Sequence, residues 1–485
     1  MEYKWTVLTV TTVGVLMAGI DSRILIVGLP SIAENLKADP EQAIWLTQAY
    51  VLASTAFLLI IGRISDITGR VKIYNIGFII FTIGSLLTGL ARSPIQAIFA
   101  RGFQGIGGSM MFANSIAIIV DSWPQHELGL GLGVNQIAFR AGAMIGLVVS
   151  GVIISLLDWR FLFYINVPIG IFGTLWAHFR LKEVDKIERK ASIDWVGFIS
   201  FTVGIASFLL ALTFITYGLS DLLISIIFSI ISVISLAIFV FNERRINSPI
   251  LDLKLLKIKT FLGGTISLLF NVISWGAVFI LLSLYLQLVR GYSPIVTGLL
   301  LLPFEIAFLL VGPISGRLSD KYGRRVFTVL GLVITTLSLI LLYTIDEHMP
   351  DVLFLIYTII LGIGNGLFVS PNISYTMRDV PLTRRSVASA FRGLFFNLGF
   401  LISLSIALLI LAFYVPYRIL TVIISTGDVS YLPREYIDLF VYGIKQTYLL
   451  LAIINSVGMP FAMFKEKREF SEKTKDMEHV KVLYE

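Results

Sequence analysis

The chain has 485 residues, 56% of them hydrophobic and only 14% charged, with a mean hydropathy of +0.87 and a formal net charge of +7. Soluble domains carry roughly 25% charged residues, so this composition excludes a string of water-soluble domains, and its apolar content excludes a disordered chain. The absence of Cys removes disulfides, thiolate metal sites and Cys nucleophiles, and the four His residues show no ligand spacing.

An integral membrane protein remains. Segments of about 20 mostly apolar residues, enough to cross a bilayer, fall at 6–28, 43–61, 72–91, 95–120, 128–156, 161–180, 195–217, 221–241, 260–289, 295–315, 326–345, 351–371, 386–413 and 441–464. The expected fold class is therefore all-α integral membrane with fourteen transmembrane helices. Asp21 and Arg23 stand near the end of the first segment and no Ala-x-Ala-like site follows it, so it reads as a retained helix. Residues 34–41 and 426–438 read as solvated outer loops, and the Lys-rich stretch from 465 as a cytoplasmic surface segment.

Most Lys and Arg fall in alternate loops, near 62–72, 121–127, 180–194, 242–259, 316–325 and 372–385, and beyond 465. The opposite loops hold only Lys37, Arg92, Arg160, Arg290, Arg418 and Arg434. Cytoplasmic loops are the basic ones, which predicts both termini inside. The positive charge thus reports topology, and no nucleic-acid partner is expected.

Gly62-Arg-Ile-Ser-Asp-Ile-Thr-Gly-Arg70 recurs as Gly316-Arg-Leu-Ser-Asp-Lys-Tyr-Gly-Arg324. At nearly the same offset Gly105-Ile-Gly107 recurs as Gly362-Ile-Gly364, and Ala138-Phe-Arg140 as Ala390-Phe-Arg392. The offset spans about eight helices although each repeat needs six. Two pseudo-symmetric six-helix bundles plus an extra two-helix hairpin satisfy both facts. The boundaries follow: 1–180 and 260–464 for the bundles, 181–259 for linkers and hairpin, 465–485 for the tail. Repeats of this kind place a substrate site between the halves near mid-membrane.

These motifs resemble the major facilitator superfamily, and specifically its fourteen-helix drug:proton antiporter branch, over almost the whole chain. Gly62–Lys72 is similar to the signature between helices 2 and 3, Arg101-Gly-Phe-Gln-Gly-Ile-Gly107 to that of helix 4, and Trp159–Gly170 to the start of helix 6. Ser248-Pro-Ile-Leu-Asp-Leu-Lys-Leu-Leu256 resembles the linker after the extra hairpin, and Ile20-Asp21 with Gly28-Leu-Pro30 part of the helix 1 signature. The helix 5 segment from Gly142 to Gly151 lacks the Gly-Pro of the branch's exporters. The resemblance implies proton-coupled transport of a small molecule in the cell membrane by a monomer, most directly drug efflux. It also implies that Arg101 serves as the coupling partner next to helix 1.

Ionisable groups inside spans are costly and by default functional. Asp21 and Glu305 are the candidate proton carriers, with Arg101 beside them. Arg23, Arg101, Arg140 and Arg392 outnumber the two carboxylates, so an organic-anion substrate is the competing reading, since Arg forks suit carboxylates. A non-transporting sensor on the same fold is a third. Polar groups avoid lipid, which singles out Gln48, Asn114, Asn135, Gln136, Asn271, Gln287, Asn365 and Asn397 and adds Asn114, Gln136, Asn271, Gln287, Asn365 and Asn397 to Arg23, Arg140 and Arg392 as candidate cavity residues. Gly62, Asp66, Gly69 and Arg70 with Gly316, Asp320, Gly323 and Arg324 form a candidate conformational latch in two tight turns. The glycine stripe of residues 129–146 reads as close helix packing. No nucleophile–base constellation, Walker motif or metal cluster appears, so no enzyme, cofactor or metal is expected.

Overall fold

The computed structural model describes residues 2–124, 128–183, 194–216, 221–246, 251, 253–381, 385–426 and 433–464. The tail from 465 and the linker residues 247–250 lie outside the described residues, as do the side chains of Asp66 and Asp320.

The N-terminal half opens with α1 (Tyr3–Leu36), which ends at the left-handed Lys37. Asp39 then starts α2 (Pro40–Thr68) with a capping box: Gln42 N donates to Asp39 Oδ1 at 2.7 Å and Asp39 N to Gln42 Oε1 at 3.2 Å. Next come α3 (Arg70–Gly89) and α4 (Pro94–Ser122), then α5 (Leu128–Leu156), the short α6 (Phe161–Tyr164) and α7 (Asn166–Arg180). A pair of helices, α8 (Trp195–Thr216) and α9 (Leu222–Arg245), pack along each other, and α8 leans on α2.

In the second half, α10 (Lys259–Trp275) bends at Gly276–Ala277 into α11 (Val278–Leu284) and a π-turn over Tyr285–Val289. Ala277 N, released from the helical ladder by the bend, donates to Ser403 Oγ at 2.8 Å. Then follow α12 (Pro294–Tyr322), α13 (Arg324–Leu342), α14 (Asp351–Met377), α15 (Arg385–Tyr414), α16 (Tyr417–Thr426) and α17 (Arg434–Ala462). Among the described residues, thirteen helical segments are long and apolar enough to cross a membrane, with α10, α11 and the π-turn forming one of them. Of the fourteen expected spans, the one on α2 is not in that set, which covers described residues only; the side chains of Leu59, Arg63 and Asp66 within α2 lie outside them.

The sequence repeat is also a repeat of packing. Gly69 and Gly323 hold φ of 112° and 105° at the α2–α3 and α12–α13 turns, a region that L side chains rarely adopt. Asp39 and Ser293, each followed by Pro, cap the equivalent helices α2 and α12 through the nitrogens of Gln42 and Val296. In α4, a Cβ on Gly105 would lie 2.3 Å from Tyr50 O of α2; in α14, one on Gly362 would lie 2.4 Å from Phe304 O of α12. Two residues on, and so on the opposite side of each helix, Gly107 faces α3 and Gly364 faces α13. The expected small-residue packing is present as well: Gly142 and Gly146 of α5 meet backbone oxygens of Leu16 and Ile20 in α1, and Ser150 Oγ donates to Ile24 O at 2.7 Å.

The halves meet along two seams, α5 against α12 and α2 against α15. Two loop expectations require correction. Within 34–41, Glu41 is buried, accepting from Tyr417 Oη at 2.5 Å, because α16 folds over the ends of α1 and α2 and takes the place of solvent. Within 426–438, Thr426 closes α16 and Arg434–Asp438 open α17, whose N-cap Pro433 sets an extended entry and whose first turn carries Glu435; residues 427–432 lie outside the described residues.

Candidate functional site

Asp21 sits on α1 with its carboxylate fully buried, and α4 and α7 supply its partners. Arg101 Nη1 lies 3.1 Å from Oδ1 and 3.0 Å from Oδ2, Gln104 Nε2 donates to Oδ1 at 2.9 Å, and Asn166 Nδ2 donates at 3.2 Å. Arg101 is itself tied down: Nη1 donates to Gln104 Oε1 at 2.7 Å, Nε donates to Leu46 O at 3.2 Å, and Cζ stands 4.5 Å over the Tyr50 ring. A buried ion pair repays its desolvation only when further hydrogen bonds complete it, and this one is so completed. All of these partners belong to the N-terminal half.

Glu305 of α12 forms a second cluster that crosses between the halves. Arg23 of α1 donates from Nε at 2.9 Å and from Nη2 at 2.7 Å, both to Oε1, while Arg140 Nη1 of α5 reaches Oε2 at 3.3 Å. Glu305 is 0% exposed, Arg23 7% and Arg140 17%. Arg23 lies 4.4 Å over Phe279 and 5.7 Å over Trp275, and Arg140 lies 3.7 Å over Phe308. Two cations share one anion, so the cluster carries a formal charge of +1. Asp21 and Glu305, grouped together in the sequence reading, belong to these two different networks.

Arg392 does not repeat the arrangement of Arg140. Its Nη2 donates to Asn372 Oδ1 at 3.1 Å within the second half, and its buried Nε has no acceptor among the described residues. Asn372 in turn donates to Gly264 O and Ser267 Oγ. The cavity amides divide. Gln287 Nε2 crosses to Val27 O of the first half at 3.1 Å. Asn271 Nδ2 reaches Asn455 Oδ1 at 3.5 Å, while Asn114 and Asn365 bond carbonyls of their own helices. Gln136 is exposed and Asn397 half-buried. Buried atoms of Asn271 (Oδ1), Asn365 (Oδ1) and Trp275 (Nε1) have no partner among the described residues, a state native structures rarely tolerate without a reason.

At the candidate latch, Arg70 Nη1 reaches both oxygens of Asp121 at 2.7 and 2.6 Å, and the Glu183 carboxylate accepts from Val71 N and Lys72 N at the start of α3. Gly62 is exposed, Gly316 half-buried, and Arg324 opens α13. Sequence reasoning missed Gln104, Asn166, Asn372, Asn455 and the Glu41–Tyr417 bond. Gln104 and Asn166 stand inside motifs already singled out, one turn from Arg101 and within Trp159–Gly170, so their signal was available. The buried Gln48, one of the amides singled out inside the spans, donates to Ser405 Oγ at 2.8 Å across the α2–α15 seam.

A family model described as Major Facilitator Superfamily matches residues 11–248 and 264–479. The chain is 30% identical to the riboflavin transporter RibZ of Clostridioides difficile over 405 residues, covering 82% of this chain and 86% of that one. It is 29% identical to the multidrug resistance protein Stp of Mycobacterium tuberculosis, covering 79% and 71%. Among solved structures, a bacterial homologue of the human lysosomal transporter Spinster, inward-facing and unoccupied, aligns with a TM-score of 0.69 at 14% identity, covering 95% of this chain and 96% of that chain.

Proposed function

From the premise that the chain belongs to the Major Facilitator Superfamily and is a multi-pass membrane transporter, we propose that it is a proton-coupled secondary carrier. It works by alternating access and exports amphipathic compounds by proton antiport. The observation that carries this reading is the placement of charge: one ion cluster lies wholly inside a half, and another bridges the two halves. Rocking of the halves must break the bridging cluster and can leave the internal one intact. Asp21 with Arg101, and Glu305, are the coupling groups. The amides and arginines between and within the halves line the path.

The same reading takes the chain as a fourteen-helix carrier of the drug:proton branch. Bundles span 1–180 and 260–464, the inserted region spans 181–259, and both termini are cytoplasmic. The turns at Gly62–Arg70 and Gly316–Arg324 act as the latch, the first steadied by Arg70–Asp121. A monomer in the cell membrane suffices, with protons and a small molecule as its only partners.

A second reading, transport of an organic anion, is favoured by the cation excess: Arg23 and Arg140 share one carboxylate, and Arg392 rests on an amide. Reconstituted vesicles separate the two. With an imposed pH gradient, a cationic dye should move under the first reading and an aromatic carboxylate under the second. If neither probe moves and neither disturbs the gradient, coupled transport itself is removed.

A further inference from the structure

We propose that Glu305 is an internal occupant of an anion site, and that its protonation hands the Arg23 and Arg140 guanidiniums to an anionic group on a planar aromatic substrate. This rests on the organic-anion reading and adds to it the class of substrate and the sign of coupling. Both arginines come from the first half, and the carboxylate they hold comes from the second. Guanidinium forks recognise carboxylates and sulfonates by paired N–H donors; Arg23 already turns two donors to Glu305 and Arg140 one. The grip is uneven. Both contacts from Arg23 fall on Oε1, whereas Oε2 receives Arg140 at 3.3 Å, and Arg140 is the most exposed of the three. An incoming anion meets Arg140 first.

The wall beside the cluster is aromatic. Phe279 lies 4.6 Å from Phe304, which continues to Trp275 at 6.3 Å and to Phe308 at 6.2 Å. These rings already stack under the two guanidiniums, so a flat ring attached to the anion finds a matching surface. Trp275 Nε1, buried and without an acceptor among the described residues, offers one donor for a polar atom on that ring.

The groups facing Glu305 leave the proton few alternatives. From α1 comes Arg23, since Asp21 turns to Arg101; from α5 comes Arg140. Trp275 of α10 and Phe279 of α11 are not titratable, and α14 meets the neighbouring Phe304 O through Gly362; Tyr285 of the π-turn donates away to Asp346 O, and the charged Arg324 and Arg325 of α13 stand in its first turn. With Glu305 ionised, the site is filled from within. With Glu305 protonated, two cations between the halves lose their counter-ion, and an unpaired buried charge is costly. An anion restores the balance, so proton and anion load together. Substrate and proton would exclude one another in an exchange mechanism, and here they do not.

The test is binding of naphthalene-2-sulfonate to the purified full-length protein, with naphthalene-2-carboxamide as the neutral control. The sulfonate stays ionised at about pH 5.5 and at about pH 7.5, so any pH dependence belongs to the protein. Wild type should bind the sulfonate at least about tenfold more tightly at the lower pH, and prefer it to the carboxamide. Glu305→Gln should bind at the low-pH affinity at both values, and Arg140→Gln should weaken binding at both. Because Glu305→Gln risks misfolding, the wild-type pH dependence and the double variant Glu305→Gln/Arg140→Gln give readings of their own; the double variant should be weak at both pH values. Sulfonate binding that is pH-independent in wild type, or unchanged in its pH dependence by Glu305→Gln, would overturn the exchange while leaving the anion reading in place. Carboxamide bound as well as sulfonate, or no anion bound at either pH, would overturn both.

Discussion

The two buried charge clusters differ in what they ask of the protein. Asp21 and Arg101 are joined within one half by Gln104, Asn166 and Leu46, and both carboxylate oxygens have short, direct partners. Arg23, Arg140 and Glu305 span the seam, share one carboxylate between two cations, and leave Arg140 partly exposed. In the proposed rocking of the halves, the first arrangement travels with one half and the second is a contact that must open. Charge compensation is complete within the one half and incomplete across the seam.

The comparison can be broken at the internal cluster first. Arg101→Ala leaves a fully buried carboxylate with amides alone, and should cost about 3–5 kcal/mol, read as a large drop in the thermal midpoint in detergent. Asp21→Asn combined with Arg101→Gln should recover much of that loss, because neither charge is stranded. Both substitutions should abolish flux driven by a pH gradient; wild-type flux in either would remove this pair from coupling.

A somewhat smaller effect is expected where helix backbones touch. Gly105→Ala and Gly362→Ala place a methyl against the carbonyls of Tyr50 and Phe304, and overpacking of this kind costs about 1–3 kcal/mol. If the halves are equivalent, the two losses should be alike in chemical unfolding, and a loss at only one of them would show that the repeat has diverged there.

The seam contacts should matter less for folding and more for the balance of states. Gln48→Ala removes the bonds to Ser405 Oγ and, at 3.5 Å, to Leu401 O across α2–α15, together worth about 1 kcal/mol, and should raise the labelling of a cysteine introduced at Ala49. The chain has no Cys of its own, so the label reports that site alone. Smallest of all, Tyr417→Phe removes the hydroxyl that donates to Glu41, at about 1 kcal/mol or less. It should loosen α16 over the first half, seen as faster amide exchange in Tyr417–Thr426, with the core helices unchanged. Unchanged exchange would show that apolar packing of Leu420 and Ile423, both buried, holds this helix without the bond.

Much of the architecture was legible because its causes are local. Ser93-Pro94 and Ser293-Pro294 start helices by their own chemistry, and Gly69 and Gly323 turn the chain by theirs. Arg101, Arg140, Glu305 and Arg392 stood out because charge in an apolar segment is conspicuous. Their partners did not. Arg23 and Glu305 are separated by 282 residues, Arg140 and Glu305 by 165, and Asp21 and Arg101 by 80. The helix at Tyr417–Thr426 also escaped, being too short to read as a span and having an apolar face buried on the other half.

Composition, loop charge and repeated motifs therefore determined by themselves that this is a helical membrane carrier with two related halves. Tertiary structure decided which way each helix turns, and so which charges pair. In lipid, the outer face of a helix is as apolar as its packed face, so hydrophobic periodicity does not report rotation. Arg140 and Arg392 carry the same Ala-Phe-Arg signature. One meets a carboxylate across the seam and the other an amide within its own half.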